Sequence, residues 1–291
     1  MAVPEYSCDA EGNFIVTDQV LSSFEEFGCI LVRKLLGERE ISSLKQTIEN
    51  DLTLQEASYR RNDGEGGRSR TVIWDDPSDD ITGAIARSYK VAGTFQKLLK
   101  DEVYHYHAKV IMKDAKTGGA HTWHQDYGYW YKNGCLFPDM GTVFIPIDDT
   151  DQGNGCLKVI PKSHKAGRID HVRIGDQAGA DKDRVSYLQQ KLGLCHVEMN
   201  AGDALFFHSN ILHRSDQNHS DRRRWAYLIA YNTRNNDPVI DHHHPKYKQL
   251  IMLPNSAISD CVNDAGSSKA PGNRKFFEGP TKDPSLPKIQ G

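Results

Sequence analysis

The sequence predicts one mainly β domain with helices at its flanks. Three observations carry that prediction. The 291 residues suffice for a large single core, and a β domain of this length is ordinary. Short apolar and aromatic runs at 29–32, 104–113, 140–148, 204–208 and 225–231 have the length and composition of strands. Helical spacing occurs at 17–27, 38–52, 81–100 and in part of 174–193, outside those runs.

The bulk charge excludes whole classes of partner. With 36 Lys and Arg against 39 Asp and Glu, the net charge is −3, so there is no nucleic-acid or membrane footprint. No apolar run reaches the length of a membrane span, and the N-terminus lacks a basic flank followed by an apolar core. A cytoplasmic protein is the expectation. Six cysteines are scattered without a C-x-x-C pair and read as reduced thiols, with Cys135 and Cys156 as buried filler.

In chain order, residues 1–16 form an N-terminal extension. Thr17 caps a helix whose Val20, Leu21, Phe24 and Phe27 share a face, and Gly28 stops it. Glu38 to Leu52 is a second amphipathic helix that buries Ile41, Leu44, Ile48 and Leu52. Residues 60–80 read as a Gly-rich mobile loop, a candidate lid whose Arg68 or Arg70 meets substrate. Ile81 to Lys100 reads as one helix with Tyr89 among its apolar contacts.

Tyr104 to Lys113 alternates as a strand. His105, His107, Lys109 and Ile111 fall on one face, and Tyr104, Tyr106, Ala108, Val110 and Met112 on the other. Asn154-Gly155 signals a hairpin after the strand at 140–148. Residues 174–193 form an insertion overhanging the mouth, and His213 lies in a loop beyond the run Ala204–His208. From 236 to 291 the chain loses periodicity and becomes a tail on or near the barrel. Its run His242-His243-His244 reads as a solvated surface cluster.

The chemistry concentrates in His121-Thr122-Trp123-His124-Gln125-Asp126 and the distant His213. His-x-Asp on an extended segment points both side chains to one face, because strand side chains alternate. With His213 the set is two imidazoles and one carboxylate, which leaves three octahedral positions open, as in non-haem Fe(II) oxygenases. Arg224 opens the buried run Trp225 to Tyr231, and a buried guanidinium needs an anion that its fork meets at two points. A ligand that chelates the metal at one end and reaches Arg224 at the other is a dicarboxylate, the shape of 2-oxoglutarate.

His124-x-Asp126, the segment Asn154-Gly155-Cys156-Leu157-Lys158-Val159-Ile160-Pro161-Lys162-Ser163-His164, the segment His213-Arg214-Ser215-Asp216-Gln217-Asn218 and Arg224 occur in that order. Together they resemble the phytanoyl-CoA dioxygenase family over 17–235, the expected catalytic domain. The resemblance implies a double-stranded β-helix, a cupin-like jelly roll of two antiparallel sheets. It implies Fe(II), 2-oxoglutarate and O2, with hydroxylation of an unactivated C–H bond and release of succinate and CO2. His124, Asp126 and His213 would hold the metal, with Arg224 and Ser215 on the distal carboxylate of 2-oxoglutarate. The family spacing of Ser215 and Arg224 favours His213 over its neighbour His208, and Asp126 favours His124 over His121. Related halogenases carry Ala or Gly in place of the carboxylate, so Asp126 points to hydroxylation.

Trp130 stands where ectoine hydroxylases of that family have an aromatic residue lining the substrate pocket. Trp130, Tyr127, Lys109 and His107 are the expected substrate contacts. Aromatic faces attract ammonium groups, and a small zwitterion, an aminoalkylphosphonate or a betaine-like compound, is the expected substrate. The other readings are an acyl-CoA hydroxylase, a non-catalytic barrel binding a metal or carboxylate, and a zinc hydrolase. No basic cluster compels a CoA phosphate site, and no His-Glu-x-x-His motif is present.

Overall fold

A computed structural model describes residues 2–174, 176–263 and 274–277. The parts of the tail at 264–273 and 278–291, and Gly175 of the insertion, lie outside the described residues.

The chain runs β1 (Glu5–Ser7), α1 (Asp18–Phe27), β2 (Cys29–Arg33), α2 (Glu38–Asn50), α3 (Leu52–Ala57), β3 (Tyr59–Asn62) and β4 (Arg68–Trp74). There follow α4 (Ile81–Arg87), α5 (Ala92–Leu99), β5 (Val103–Lys113), β6 (His121–His124), α6 (Tyr127–Trp130), β7 (Met140–Pro146) and β8 (Leu157–Ile160). The remainder is β9 (His171–Ile174), β10 (Gln177–Ala180), α7 (Lys182–Leu192), β11 (Cys195–Val197), β12 (Ala204–His208), β13 (Leu212–Ser215), β14 (Arg224–Thr233) and α8 (Ser256–Asn263).

Eight strands form the major sheet in the order β1-β2-β12-β7-β14-β5-β4-β3, and four form the minor sheet, β11-β8-β13-β6. This is the expected jelly roll with flanking helices. Alternation along each strand sorts its side chains between two apolar layers. On β14, Trp225, Tyr227, Ile229 and Tyr231 pack toward the helices, in the layer that holds Val20, Phe24, Leu44, Ile85 and Phe95. Ala226 and Leu228 face the minor sheet, beside Phe144, Leu157, Val159, Leu205 and Phe207. Burying each large apolar side chain contributes roughly 1.5–3 kcal/mol, so the two layers hold the sheets at fixed spacing.

Several local expectations are met. Thr17 Oγ1 accepts from Val20 N at 3.3 Å, and Gly28 ends α1 at φ 75°, a left-handed value that suits glycine. Others are corrected. The second helix stops at Asn50 because Asp51 caps α3 through Leu54 N, and Leu52 is left 73% exposed. The expected helix over 81–100 breaks at Ser88, whose carbonyl and amide are taken up locally while Tyr89 N donates to Leu253 O of the tail. Tyr89 is consequently exposed. The N-terminal extension supplies β1, which pairs parallel with β2.

The 60–80 segment is a hairpin of β3 and β4, not a free loop. Asp63 closes its turn by accepting from Glu65 N and Gly67 N, and its other oxygen accepts from Ala120 N beside the metal loop. Arg70 is engaged with Gln55 and Asp114, and neither it nor Arg68 reaches the cavity described below.

The Asn154-Gly155 turn joins β7 of the major sheet to β8 of the minor sheet, so it is not a hairpin. Gly155 takes φ 79°, and a Cβ there would strike the carbonyl of Asp216. On β5 a bulge at Tyr106 breaks the alternation: His105 pairs with Tyr231 and His107 with Ala230. Tyr104 and Tyr106 therefore join Trp130, whereas His105 turns to Asp75 and Tyr231.

Candidate metal centre and its two compartments

His124 ends β6 and His213 sits on β13, directly opposite it in the ladder. His213 is thus a strand residue and not a loop residue. Asp126 lies beyond β6, with φ −58° and ψ −38°, at the start of the single turn α6. The strand-to-helix turn, not strand alternation alone, brings its carboxylate back to His124. Gln125 fastens that turn: its amide nitrogen donates to Gly167 O and Asn210 O, and its oxygen accepts from Ile169 N. Gly128 is required by packing, since a Cβ would enter the ring of His171.

One ligand atom each of His124, Asp126 and His213 lie within 4.8 Å of one another. Both Nε2 atoms face Asp126 Oδ1, at 3.7 Å from His124 and 3.9 Å from His213. Each Nδ1 meets a backbone carbonyl, Thr122 O at 2.8 Å and Ile211 O at 3.1 Å, so Nδ1–H donates and Nε2 keeps its lone pair. Burial pushes both imidazoles below their usual range and keeps them neutral. Asp126 Oδ2 accepts from Thr142 Oγ1 at 2.6 Å, which orients the carboxylate.

His121 lines the cavity with its ring 4.4 Å from that of His124, but it is not one of the three converging donors. His208 lies elsewhere, tilted against Phe24 and His164, with Nδ1 accepting from Asn210 N.

A narrow inner compartment lies below the centre, lined by Ile111, Phe144, Leu157, Phe207, Ser215, Arg224 and Leu228. Arg224 is 1% exposed, its guanidinium over the Phe144 ring at 5.0 Å. Its Nε and Nη2 have no hydrogen-bond partner among the described residues. Burial without an anion pulls it down to about 10. Ser215 lies beside it, and its Oγ accepts from Lys113 Nζ at 2.8 Å.

Above the centre an outer cavity of about 400 Å³ is bounded by Tyr59, Arg61, Ile73, His107, Lys109, Tyr129, Trp130 and the tail residues His243, His244, Lys275, Phe276 and Phe277. Of the four expected substrate contacts, Trp130, His107 and Lys109 are among these lining residues. Tyr127 is not: its hydroxyl donates to Cys135 O in the core, and Tyr129 lines the cavity instead. The His242–His244 run is also corrected. His244 stacks on His107 at 4.9 Å and 26°, and Phe277 meets His244 edge-on at 4.8 Å. Cys135 and Cys156 are buried free thiols, pushed up to about 12 and about 11 by burial, and so unreactive.

Sequence reasoning missed Thr142, Lys113, Arg61 and the tail residues of the roof. Thr142 carried a readable signal, a lone hydroxyl in the apolar run of β7. The others depend on contacts between distant segments.

Fold and donor set define a jelly-roll protein with one buried two-histidine, one-carboxylate centre. A family model described as phytanoyl-CoA dioxygenase matches residues 24–226, and the chain belongs to that family. An L-proline trans-4-hydroxylase from Streptomyces griseoviridis is 31% identical over 220 residues, covering 70% of this chain and 82% of that protein. An ectoine dioxygenase from Nocardia farcinica is 25% identical over 242 residues, covering 77% of this chain and 80% of that protein. Among solved structures, EctD from S. alaskensis with bound Fe is similar at a TM-score of 0.69 and 19% identity, covering 82% of this chain and 88% of that chain. This last likeness shows the fold. Among the described residues no helix is long and apolar enough to cross a membrane.

Proposed function

We propose that the chain is an Fe(II)- and 2-oxoglutarate-dependent hydroxylase of a small zwitterion, an aminoalkylphosphonate or a betaine-like compound. The observation that carries the reading is Arg224. A buried guanidinium with two unpartnered nitrogens, in a narrow compartment beside a two-histidine, one-carboxylate cluster, fits the far carboxylate of a chelating keto acid. The iron, when bound, supplies O2 activation and the oxidative decarboxylation of 2-oxoglutarate to succinate and CO2.

The chain's own residues do the positioning. His124, His213 and Asp126 would offer Nε2, Nε2 and Oδ1 to the metal, while Thr122, Ile211 and Thr142 fix the direction of each donor. Arg224 and the Ser215 hydroxyl would hold the distal carboxylate. Phe144, Leu157, Phe207 and Leu228 exclude water around it. Trp130 and His107 would form the wall against which the reacting substrate carbon is held. The modest outer cavity, roofed by the tail, favours a small substrate over an acyl-CoA.

The test is anaerobic addition of Fe(II) and then 2-oxoglutarate, followed by exposure to O2. The expected result is a visible charge-transfer band and then succinate in proportion to CO2. Iron binding with neither band nor succinate would instead favour a binding barrel.

A further inference from the structure

The outer cavity is electrostatically one-sided. Among its described lining residues Asp126 is the sole carboxylate, and it already faces His124 and His213. Three cations oppose it: Arg61, Lys109 and Lys275. Arg61 reaches the Asp176 carbonyl at 3.4 Å, and Lys275 lies 3.9 Å from the Asp75 carboxylate.

Lys109 is different. It sits in the middle of β5, between Ile73 of β4 and Leu228 of β14, and lines both compartments at their junction beside the metal centre. It makes no hydrogen bond or ion pair with any described residue, and the opposite charge acting on it is that of Asp126. Lys109 is half-buried, and its ammonium faces the cavity with no protein counter-charge of its own, so an anionic ligand seated there would supply the missing partner. Next to it on the same face, His107 has a buried, unpartnered Nδ1, and so does His244 stacked on it. Burial holds both rings neutral, so each keeps one donor and one acceptor.

We propose that the outer cavity seats its substrate by an oxyanion head, a carboxylate or a phosphonate, against Lys109, with His107 and His244 as neutral hydrogen-bonding partners. The cationic end then has no carboxylate to meet and lies against the aromatic wall of Trp130 and Phe277. His244 and Phe277 lie beyond residue 226, where the family match ends, so this chain's own tail sets the fit of the rest of the molecule. The inference rests on the hydroxylase reading and names the substrate end nearest the metal.

The test uses the full chain, loaded anaerobically with Fe(II) and 2-oxoglutarate. It is titrated with matched probes: L-proline against L-prolinamide, and 2-aminoethylphosphonate against ethanolamine. Binding is read both from the charge-transfer band and from tryptophan fluorescence. Expected is a saturable response to the carboxylate or the phosphonate and none to its partner lacking the oxyanion; which of the two responds identifies the head group. Lys109→Met should weaken that binding at least about tenfold while moving 2-oxoglutarate affinity less than about twofold. Equal binding of prolinamide or ethanolamine overturns the proposal, as does silence from both oxyanions. A Lys109→Met effect on 2-oxoglutarate in place of the probe overturns it too. Absence of the charge-transfer band before any probe is added is failure of the hydroxylase reading itself, and fluorescence still reads the oxyanion preference.

Discussion

Lys113 and Arg224 stand opposite each other on the β5–β14 ladder, two fully buried basic side chains. Burial first, and Arg224 second, push Lys113 well below its usual range. Its ammonium donates to Ser215 Oγ and Asp216 O. Because Ser215 Oγ already accepts from Lys113, its own proton is left to point at whatever Arg224 binds. Lys113→Met should therefore raise the 2-oxoglutarate requirement roughly tenfold, the loss of one charge-assisted hydrogen bond's orientation. Iron affinity, measured by titration, should stay unchanged; a change in iron affinity alone would show that Lys113 acts on the metal.

Arg224→Ala should have the larger effect on the same compartment. Truncating one partner of a buried charge pair costs about 2–5 kcal/mol, which corresponds to a loss of roughly 30-fold or more in 2-oxoglutarate affinity. Metal binding should survive. An unchanged 2-oxoglutarate affinity, measured anaerobically, would refute the cosubstrate assignment.

Thr142→Val removes the hydroxyl that orients Asp126 and nearly preserves volume. Loss of a hydrogen bond behind a metal ligand typically weakens metal affinity about 10–100-fold. Titration with Fe(II) under argon should show this, with the fold intact by circular dichroism. His213→Ala should abolish iron-dependent turnover outright.

The roof depends on an anchor in the tail. Arg274 is buried and ion-paired with both Asp51 and Asp80, the residues that cap α3 and α4. Its guanidinium also lies over Trp74 at 5.3 Å. Arg274→Ala leaves two largely buried carboxylates uncompensated and should destabilise the protein by about 3 kcal/mol, read by urea unfolding. Turnover of the substrate should fall while the uncoupled decay of 2-oxoglutarate persists, since the roof is lost and the centre is not.

Acid should unfold the protein through buried neutral histidines. His105 is 5% exposed and burial lowers it to about 4 from an ordinary 6.5. Between those values the unfolded chain binds the proton and the folded chain does not. The stabilising contribution is complete above the unfolded value and is lost as pH falls below it, at up to ~1.4 kcal/mol per pH unit. Urea unfolding at pH 7, 6 and 5 should show this decline, and His105→Gln should make the slope shallower by about one proton. An unchanged slope would exclude His105 as a contributor.

Chemical type and short spacing made His124-x-Asp126 legible, and a cation opening an apolar run marked Arg224, whereas the choice of His213 over His208 rested on the spacing of Ser215 and Arg224 in the family that the chain resembles. Two imidazoles, a carboxylate and a guanidinium within apolar surroundings have few other reasons to exist. The same sequence also predicted strands, caps and the mainly β class, because side-chain periodicity is a property of the local chain. Its route to Asp126 was incomplete: alternation was expected, and a strand-to-helix turn held by Gln125 does the work.

What only the tertiary structure decided concerns residues whose roles depend on distant partners. The Tyr106 bulge moved His105 out of the cavity and Tyr106 toward Trp130. The tail carried His244 onto His107, turning an expected surface cluster into a cavity wall. Lys113 acquired its role from Ser215, 102 residues away. A lysine at a strand end or a histidine in a polar stretch carries no local mark of burial. Which of them loses its water is settled when the sheets and the tail close over the same space, and that desolvation then dictates the partners each must find.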